Sequence, residues 1–242
     1  MSRIKTNKIF RHLQESTKRI TVEQGGTRSG KTYNILLWLI LEYSIHNEKK
    51  VITICRKTFP SLRASVLRDF VTILQSMNQY NELLHNKSNN EYTLNGNLFE
   101  FISLDQPQKI RGRKRDLLFI NEANELYFED WQQLIWRTTE KIIIDYNPSD
   151  SFHWIYDKVI PRDDCEFFQT TYLDNPFLER EIINEIERLK DTDHDYWRVY
   201  GLGERGSSRA TIFQFSVVDK IPQEATHLST GLDFGFTNDP TA

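Results

Sequence analysis

With 242 residues, 38% of them hydrophobic and 27% charged, the chain is long enough to bury a full α/β core and leaves room for one domain plus part of another. A formal charge of -3 excludes a global pull toward nucleic acid or anionic lipid, so contact with a polyanion has to come from a local basic patch. Cys55 and Cys165 stand far apart with no CxxC pair, which excludes a cysteine zinc site and a disulfide framework.

In chain order, the β-branched run Ile20 to Gln24 predicts a strand leading into Gly25-Gly26-Thr27-Arg28-Ser29-Gly30-Lys31-Thr32, the GxxxxGKT phosphate-binding pattern set between a strand and a helix. Gly25 and Gly30 permit backbone conformations closed to other residues, so successive N–H groups turn inward around an anion at the helix start. The loop from Gly25 to Thr32 is therefore read as an ATP cradle, with Lys31 reaching the β- and γ-phosphates and the Thr32 hydroxyl ligating Mg²⁺.

A helix is expected over Lys31 to His46, a strand over Val51 to Cys55 and a helix over Ser61 to Ser76. Glu91 to Leu94 and Leu98 to Ile102 flank Asn95-Gly96-Asn97, which is hairpin chemistry and predicts an antiparallel insertion at the sheet edge. Further strands are expected over Leu117 to Ile120, Ile142 to Asp145 and Glu166 to Thr171, and helices over Tyr127 to Arg137, Phe152 to Ile160 and Leu178 to Lys190. The alternation implies a mainly parallel sheet flanked by helices, an α/β P-loop NTPase of the ASCE type. From Gly201 to Ser208 the chain turns Gly- and Ser-rich, which places a boundary near Gly206, with the ATPase domain over 1–206 and a separate segment over 207–242. The polar start and the shortness of the longest apolar stretch, Ile35 to Leu41, suit a soluble intracellular protein without a membrane span.

The run Leu117-Leu118-Phe119-Ile120-Asn121-Glu122 places a carboxylate directly after a buried strand, where Glu122 orients and deprotonates a water aimed at the γ-phosphate. The bland alternative is a helix-entry Glu placed favourably in the helix dipole. Asn121 precedes it as a metal-side residue that offers an amide oxygen but no charge, so Mg²⁺ leans on Thr32 and the nucleotide. Asp116 sits at the wrong end of the strand to substitute. Asn147, after Ile142-Ile143-Ile144-Asp145, either contacts the γ-phosphate as a sensor of hydrolysis or closes an Asn-Pro turn. Arg28 and Arg56 are candidates for stabilising transition-state charge, Arg28 alternatively binding a partner's carboxylate and Arg56 stacking on adenine or capping a helix. Lys109 to Arg115 is either a solvated cationic loop or a grip on a DNA backbone.

Taken together, Gly-Gly-Thr-Arg-Ser-Gly-Lys-Thr at 25–32, Cys-Arg-Lys-Thr-Phe-Pro-Ser-Leu-Arg at 55–63, Ile-Asn-Glu-Ala-Asn-Glu at 120–125, Asp-Tyr-Asn-Pro-Ser at 145–149 and Thr-Tyr-Leu-Asp-Asn-Pro-Phe-Leu at 171–178 resemble, in order and spacing, the large terminase subunit of tailed bacteriophages. The resemblance implies an ATP-driven motor that threads double-stranded viral DNA into a preformed capsid in the host cytoplasm. Lys31 and Thr32 then act on nucleotide and metal, Glu122 as base and Asn147 in the coupling element. It further implies a homo-oligomeric ring docked on a portal protein and joined by a small terminase subunit. Leu228 to Gly235 is similar to the first strand of the family's ribonuclease-H-like nuclease, with Asp233 as its first metal carboxylate. One carboxylate does not build a two-metal site and the sequence ends at Ala242, so this polypeptide alone is expected not to cut DNA; Asp239 is either a turn residue or an accessory ligand. Two other readings fit the same residues: a helicase-like translocase, told apart by strand separation, and a nucleotide-gated assembly module with little turnover. A small-molecule kinase fits worse, because a water-activating Glu beside the phosphates promotes wasteful hydrolysis.

Overall fold

In the computed structural model, which describes residues 5–105 and 114–206, eight strands form one sheet in the order β3-β4-β5-β2-β6-β7-β1-β8. In chain order the elements are α1 (Lys8–Glu15), β1 (Ile20–Gly25), α2 (Lys31–Trp38), β2 (Val51–Arg56), α3 (Arg68–Ser76), β3 (His85–Asn86), β4 (Glu91–Leu94) and β5 (Asn97–Ser103). They continue with β6 (Arg115–Ile120), α4 (Phe128–Ile135), β7 (Thr138–Tyr146), β8 (Cys165–Thr170) and α5 (Arg180–Thr192). Strands β5, β2, β6, β7, β1 and β8 run parallel, and β4 and β3 close one edge antiparallel. These elements belong to one compact unit, Met1–Ser208.

The pleat sends alternate residues of each strand into two separate cores. Ile54, Phe119 and Ile143 face α1, α2 and α3, while Cys55, Ile120 and Ile144 face α4 and the turn Ile155–Val159. Burial on both sides explains why the parallel strands read as near-continuous apolar runs. The same parity places Asn121 and Asp145, one step beyond Ile120 and Ile144, on the α2 side.

The predicted hairpin forms through Asn95 and Gly96, both at positive φ (50° and 75°), the two-residue turn whose twist matches its strands. It is more than an edge decoration, because β5 pairs parallel with β2 along its whole length, Val51 opposite Leu98 through Arg56 opposite Ser103. The long helix expected from Lys31 runs through Trp38, a π-helical turn at Leu39–Tyr43 and Ser44–His46. The helix expected over Phe152 to Ile160 shrinks to the turn Ile155–Val159. Its first residues are taken elsewhere: His153 Nδ1 accepts from the Ile155 N–H, His153 Nε2 meets the Asn124 carbonyl and Trp154 Nε1 donates to the Leu126 carbonyl. Helix α1 has no counterpart in the sequence pattern above; Asn7 caps it by accepting from the Ile9 N–H at 2.9 Å, and Ile9 and Leu13 bury one face.

Arg115, counted above in the cationic loop, is instead the first residue of β6 and only 1% exposed, its backbone N–H donating to Arg137 O at 2.9 Å just before β7. Lys109 to Arg113, and Asp233 and Asp239 beyond the boundary expected near Gly206, lie outside the described residues. Among the described residues no helix is long and apolar enough to cross a membrane.

Candidate nucleotide site

The loop between β1 and α2 is held from outside by three asparagine amides. Asn175 Nδ2 donates to Arg28 O at 2.8 Å, Asn7 Nδ2 to Ser29 O at 3.0 Å and Asn34 Nδ2 to Gly30 O at 2.9 Å. With the Arg28, Ser29 and Gly30 carbonyls engaged outward, the first N–H groups of α2, which have no partner within the helix, are left to face an anion. Gly30 caps α2 at φ 84°, a left-handed value that L side chains rarely adopt. Arg28 takes φ 65° without being glycine, a strain of the kind that collects at functional sites.

A second brace comes from the far end of the described chain. Thr27 N donates to Tyr200 O at 2.6 Å, Gln24 Nε2 donates to Gly203 O at 2.7 Å, and a Cβ at Gly26 would fall 2.2 Å from Gly201 O.

Inside the loop, Lys31 Nζ donates to Gly25 O at 2.9 Å, Gly26 O at 3.0 Å and Asn147 Oδ1 at 3.1 Å. Burial pulls its pKa down against the opposing pull of Asp145, Glu122 and Glu23. Asn147 in turn donates to Thr27 Oγ1 at 3.0 Å, so it bridges the lysine and the loop from the end of β7. The Thr32 hydroxyl donates to Asp145 Oδ2 at 2.8 Å. Asn121 Nδ2 donates to Asp145 Oδ1 at 2.9 Å and to Thr32 Oγ1 at 3.1 Å. Its own Oδ1 is buried and finds no hydrogen-bond partner among the described residues.

Glu122 stands at the entry of the short 3-10 turn Ala123–Glu125, but its side chain does not cap that turn. It sits at φ 54°, ψ 57°, its N–H pinned to Asp145 Oδ1 at 2.9 Å, and this left-handed turn carries its side chain to the cavity. Burial first and Asp145 second push its carboxyl up to about 7, against the smaller pull of Lys31 and Arg56. Burial likewise raises Asp145.

The cavity enclosed by these groups measures about 310 Å³ and is lined by Thr27 to Tyr33, Glu122 and Asn147. A second cavity of about 520 Å³ shares Gly30 and Tyr33 with it and extends between Asn175, Phe177 and Leu37. The structure thus gathers Gly25 to Thr32, Asn121, Glu122 and Asn147 at one end of the sheet. Arg28 lines the cavity and is exposed.

Arg56 is placed differently. Its guanidinium is held by Glu125 Oε1 at 3.1 Å and Ser65 Oγ at 2.9 Å, it does not line the cavity, and it touches the site only through its field on Glu122. Asp116 accepts from Val51 N at the opposite end of the strands, as its position implied. Sequence reasoning passed over Asp145, at the junction of Thr32, Asn121 and Glu122. The signal that could have found it is strand parity, which sets Asp145 on the same face as Ile143.

The sequence profile of the phage terminase large subunit matches residues 17–204 of this chain. The PBSX phage terminase large subunit of Bacillus subtilis (strain 168) is 24% identical over 248 residues, covering 88% of this chain and 57% of its own length. The terminase large subunit of Bacillus phage SPP1 is 24% identical over 266 residues, covering 98% of this chain and 61% of its own. The chain therefore spans about three-fifths of the length of the curated relatives it matches. Among solved structures, the large terminase of a thermophilic bacteriophage superposes with a TM-score of 0.68 at 18% identity over 84% of this chain and 54% of that one. The same protein in complex with ADP gives 0.67. The Thermus phage P74-26 large terminase ATPase domain gives 0.60 at 17% identity over 83% of this chain and 94% of that domain. Profile, relatives and fold agree, and the chain belongs to the phage terminase large subunit family.

Proposed function

We propose that this chain binds ATP with Mg²⁺ at the β1–α2 loop, hydrolyses it, and uses the cycle to drive double-stranded viral DNA into a procapsid. The observation that carries the reading is the meeting of a buried lysine, a loop threonine and a carboxylate with a pKa near 7 around one cavity. The phosphates occupy that cavity, where Lys31 exchanges its contacts with Gly25 O and Gly26 O for phosphate oxygens. The base extends into the adjoining cavity between Tyr33 and Phe177, with the Asn175 amide at hand.

Magnesium fits the residues present. The donors are hard oxygens, a hydroxyl, a carboxylate and the orphaned buried Asn121 Oδ1, and none is a sulfur or imidazole. Thr32 would hold the ion, which supplies positive charge to the phosphate oxygens. Glu122 takes the proton from the attacking water, and a carboxyl titrating near 7 is well matched to accept a proton at neutral pH and hold it. Arg28, free to reach across the cavity, stabilises charge on the transferring phosphoryl group. Asn147 links Lys31 to the end of β7 and so reports phosphate loss to the sheet.

The large terminase of the thermophilic bacteriophage was solved with ADP and with ATP-gamma-S, which supports the choice of nucleotide. The partners that fit this activity are viral DNA, a portal protein and a small terminase subunit, met in the host cytoplasm by a ring of these chains. Hydrolysis of ATP by the purified chain, with Mg²⁺ and with or without double-stranded DNA, tests the reading. Turnover is expected in the wild type and lost in Lys31→Ala and Glu122→Gln, with Glu122→Gln still binding nucleotide. A wild type that binds ATP without hydrolysing it, with or without DNA, refutes the motor and leaves a nucleotide-gated assembly module.

A further inference from the structure

We infer that Asp145, on the strand beside the one that leads into Asn121-Glu122, is the carboxylate that serves the metal side of this site. The inference rests on the nucleotide reading above and concerns how the site manages its cation. The position before the base holds a neutral amide, Asn121, yet a carboxylate is present a strand away. Strands β6 and β7 pair in parallel with Ile120 opposite Ile144, so Asn121 and Asp145 are register neighbours on the α2 face.

Three groups converge on the Asp145 carboxyl. Oδ2 accepts from the Thr32 hydroxyl at 2.8 Å, and Oδ1 accepts from Glu122 N and from Asn121 Nδ2, each at 2.9 Å. The Thr32 hydroxyl spends its proton on Asp145 and one lone pair on Asn121 Nδ2 at 3.1 Å, which leaves one lone pair for a cation. A single carboxylate therefore orients the metal-binding hydroxyl, the backbone of the base and the amide that stands in the usual acidic position.

Charge balance points the same way. Asp145 is 0% exposed, and Glu122 and Glu23 add like charge nearby. Among the described residues, Lys31 is the cation whose field acts on Asp145 most strongly against burial. As a tether alone, Asp145 is a buried charge whose burial its hydrogen bonds and Lys31 offset only in part. A divalent ion at Thr32 turns that penalty into attraction. Asp145 is a positioning residue for the cation and for Thr32, one that sequence motifs locate on the wrong strand.

The test measures ADP affinity with Mn²⁺ and in EDTA, together with the Mn²⁺ electron paramagnetic resonance spectrum of the ADP-loaded protein. The variants are Asp145→Asn and the transposed pair Asn121→Asp/Asp145→Asn. For Asp145→Asn the ratio of the two affinities is expected to fall at least about tenfold, the scale on which partners of metal ligands act. The transposed pair is expected to recover most of that ratio and a Mn²⁺ spectrum like that of the wild type. A ratio within about twofold of wild type in Asp145→Asn overturns the inference, and so does a transposed pair that recovers nothing. If the wild type binds no ADP under either condition, the nucleotide reading itself falls, an outcome distinct from either of these.

Discussion

Replacing Glu122 by glutamine removes an ionisable group while keeping its shape, and the structure sets how large the effect on stability is. In the fold, burial and the neighbouring Asp145 raise the Glu122 carboxyl from the ordinary 4.5 to about 7. A raised acid binds its proton more tightly folded than unfolded, so its contribution favours the fold below pH 4.5 and is lost as pH climbs through 7. At about 1.4 kcal/mol per pH unit of difference, ionised Glu122 costs the fold about 3 kcal/mol above neutrality. Urea denaturation of wild type and Glu122→Gln at about pH 5 and pH 8 separates this term, since His12, Glu23 and the other titrating groups are common to both proteins. The glutamine variant should gain about 2 to 3 kcal/mol on the wild type between the two pH values, being the more stable protein at the higher pH while inactive. A difference between the two proteins that does not change with pH would refute the claim that Glu122 is held in a strained, charge-averse position.

The other expectations concern hydrolysis and the loop. The pH profile of ATP hydrolysis should rise with a midpoint near 7 as Glu122 ionises, and Arg56→Ala should move that midpoint upward, since the guanidinium favours the ionised form, while changing ATP affinity less than about twofold. Gly26→Ala should destabilise the protein by more than about 2 kcal/mol in thermal or urea denaturation, because the added methyl meets the Gly201 carbonyl, which is backbone and does not swing aside. Asn7→Ala and Asn175→Ala each strip a donor from a loop carbonyl and should cost about 1 kcal/mol, read as nucleotide affinity lowered about fivefold in titration calorimetry. The same loss in a surface control such as Asn89→Ala would refute the bracing role.

Much of the scaffold was legible because parallel strands buried on both faces leave β-branched runs, and because Asn95-Gly96 has few conformations open to it. The loop was legible because phosphate binding demands glycine, lysine and threonine at fixed spacing. Strand parity reveals only the face of Asp145; its role depends on the strand order β6-β7-β1, which brings residues 32, 121 and 145 together and which no local pattern encodes. The asparagine braces were hidden for the same reason, Asn7, Asn34 and Asn175 being ordinary loop and helix residues until the fold sets them around one turn. Arg115 was read as part of a cationic loop because charge in a sequence says nothing about whether the backbone beside it is already committed to a sheet, and the hold of Glu125 and Ser65 on Arg56 leaves no local trace. The shortened helix after Phe152 reflects a contest that propensity does not register: His153 and Trp154 bond to the Asn124–Leu126 turn.

The place of β1 in the sheet also governs how the protein is made. Ile20 lies between Ile142 of β7 and Cys165 of β8, so the first of these strands to leave the ribosome is flanked only by the last two. Until both are synthesised, β1 has unpaired backbone on either side and an apolar surface with nothing to cover it, the condition under which nascent chains aggregate or recruit chaperones. The turn that grips phosphate is encoded early and completed late, when Tyr200 and Gly203 come down on it. Active protein during translation is thus a product of the finished sheet alone, and a ribosome that stalls before Thr170 releases a chain with a perfect motif and no site.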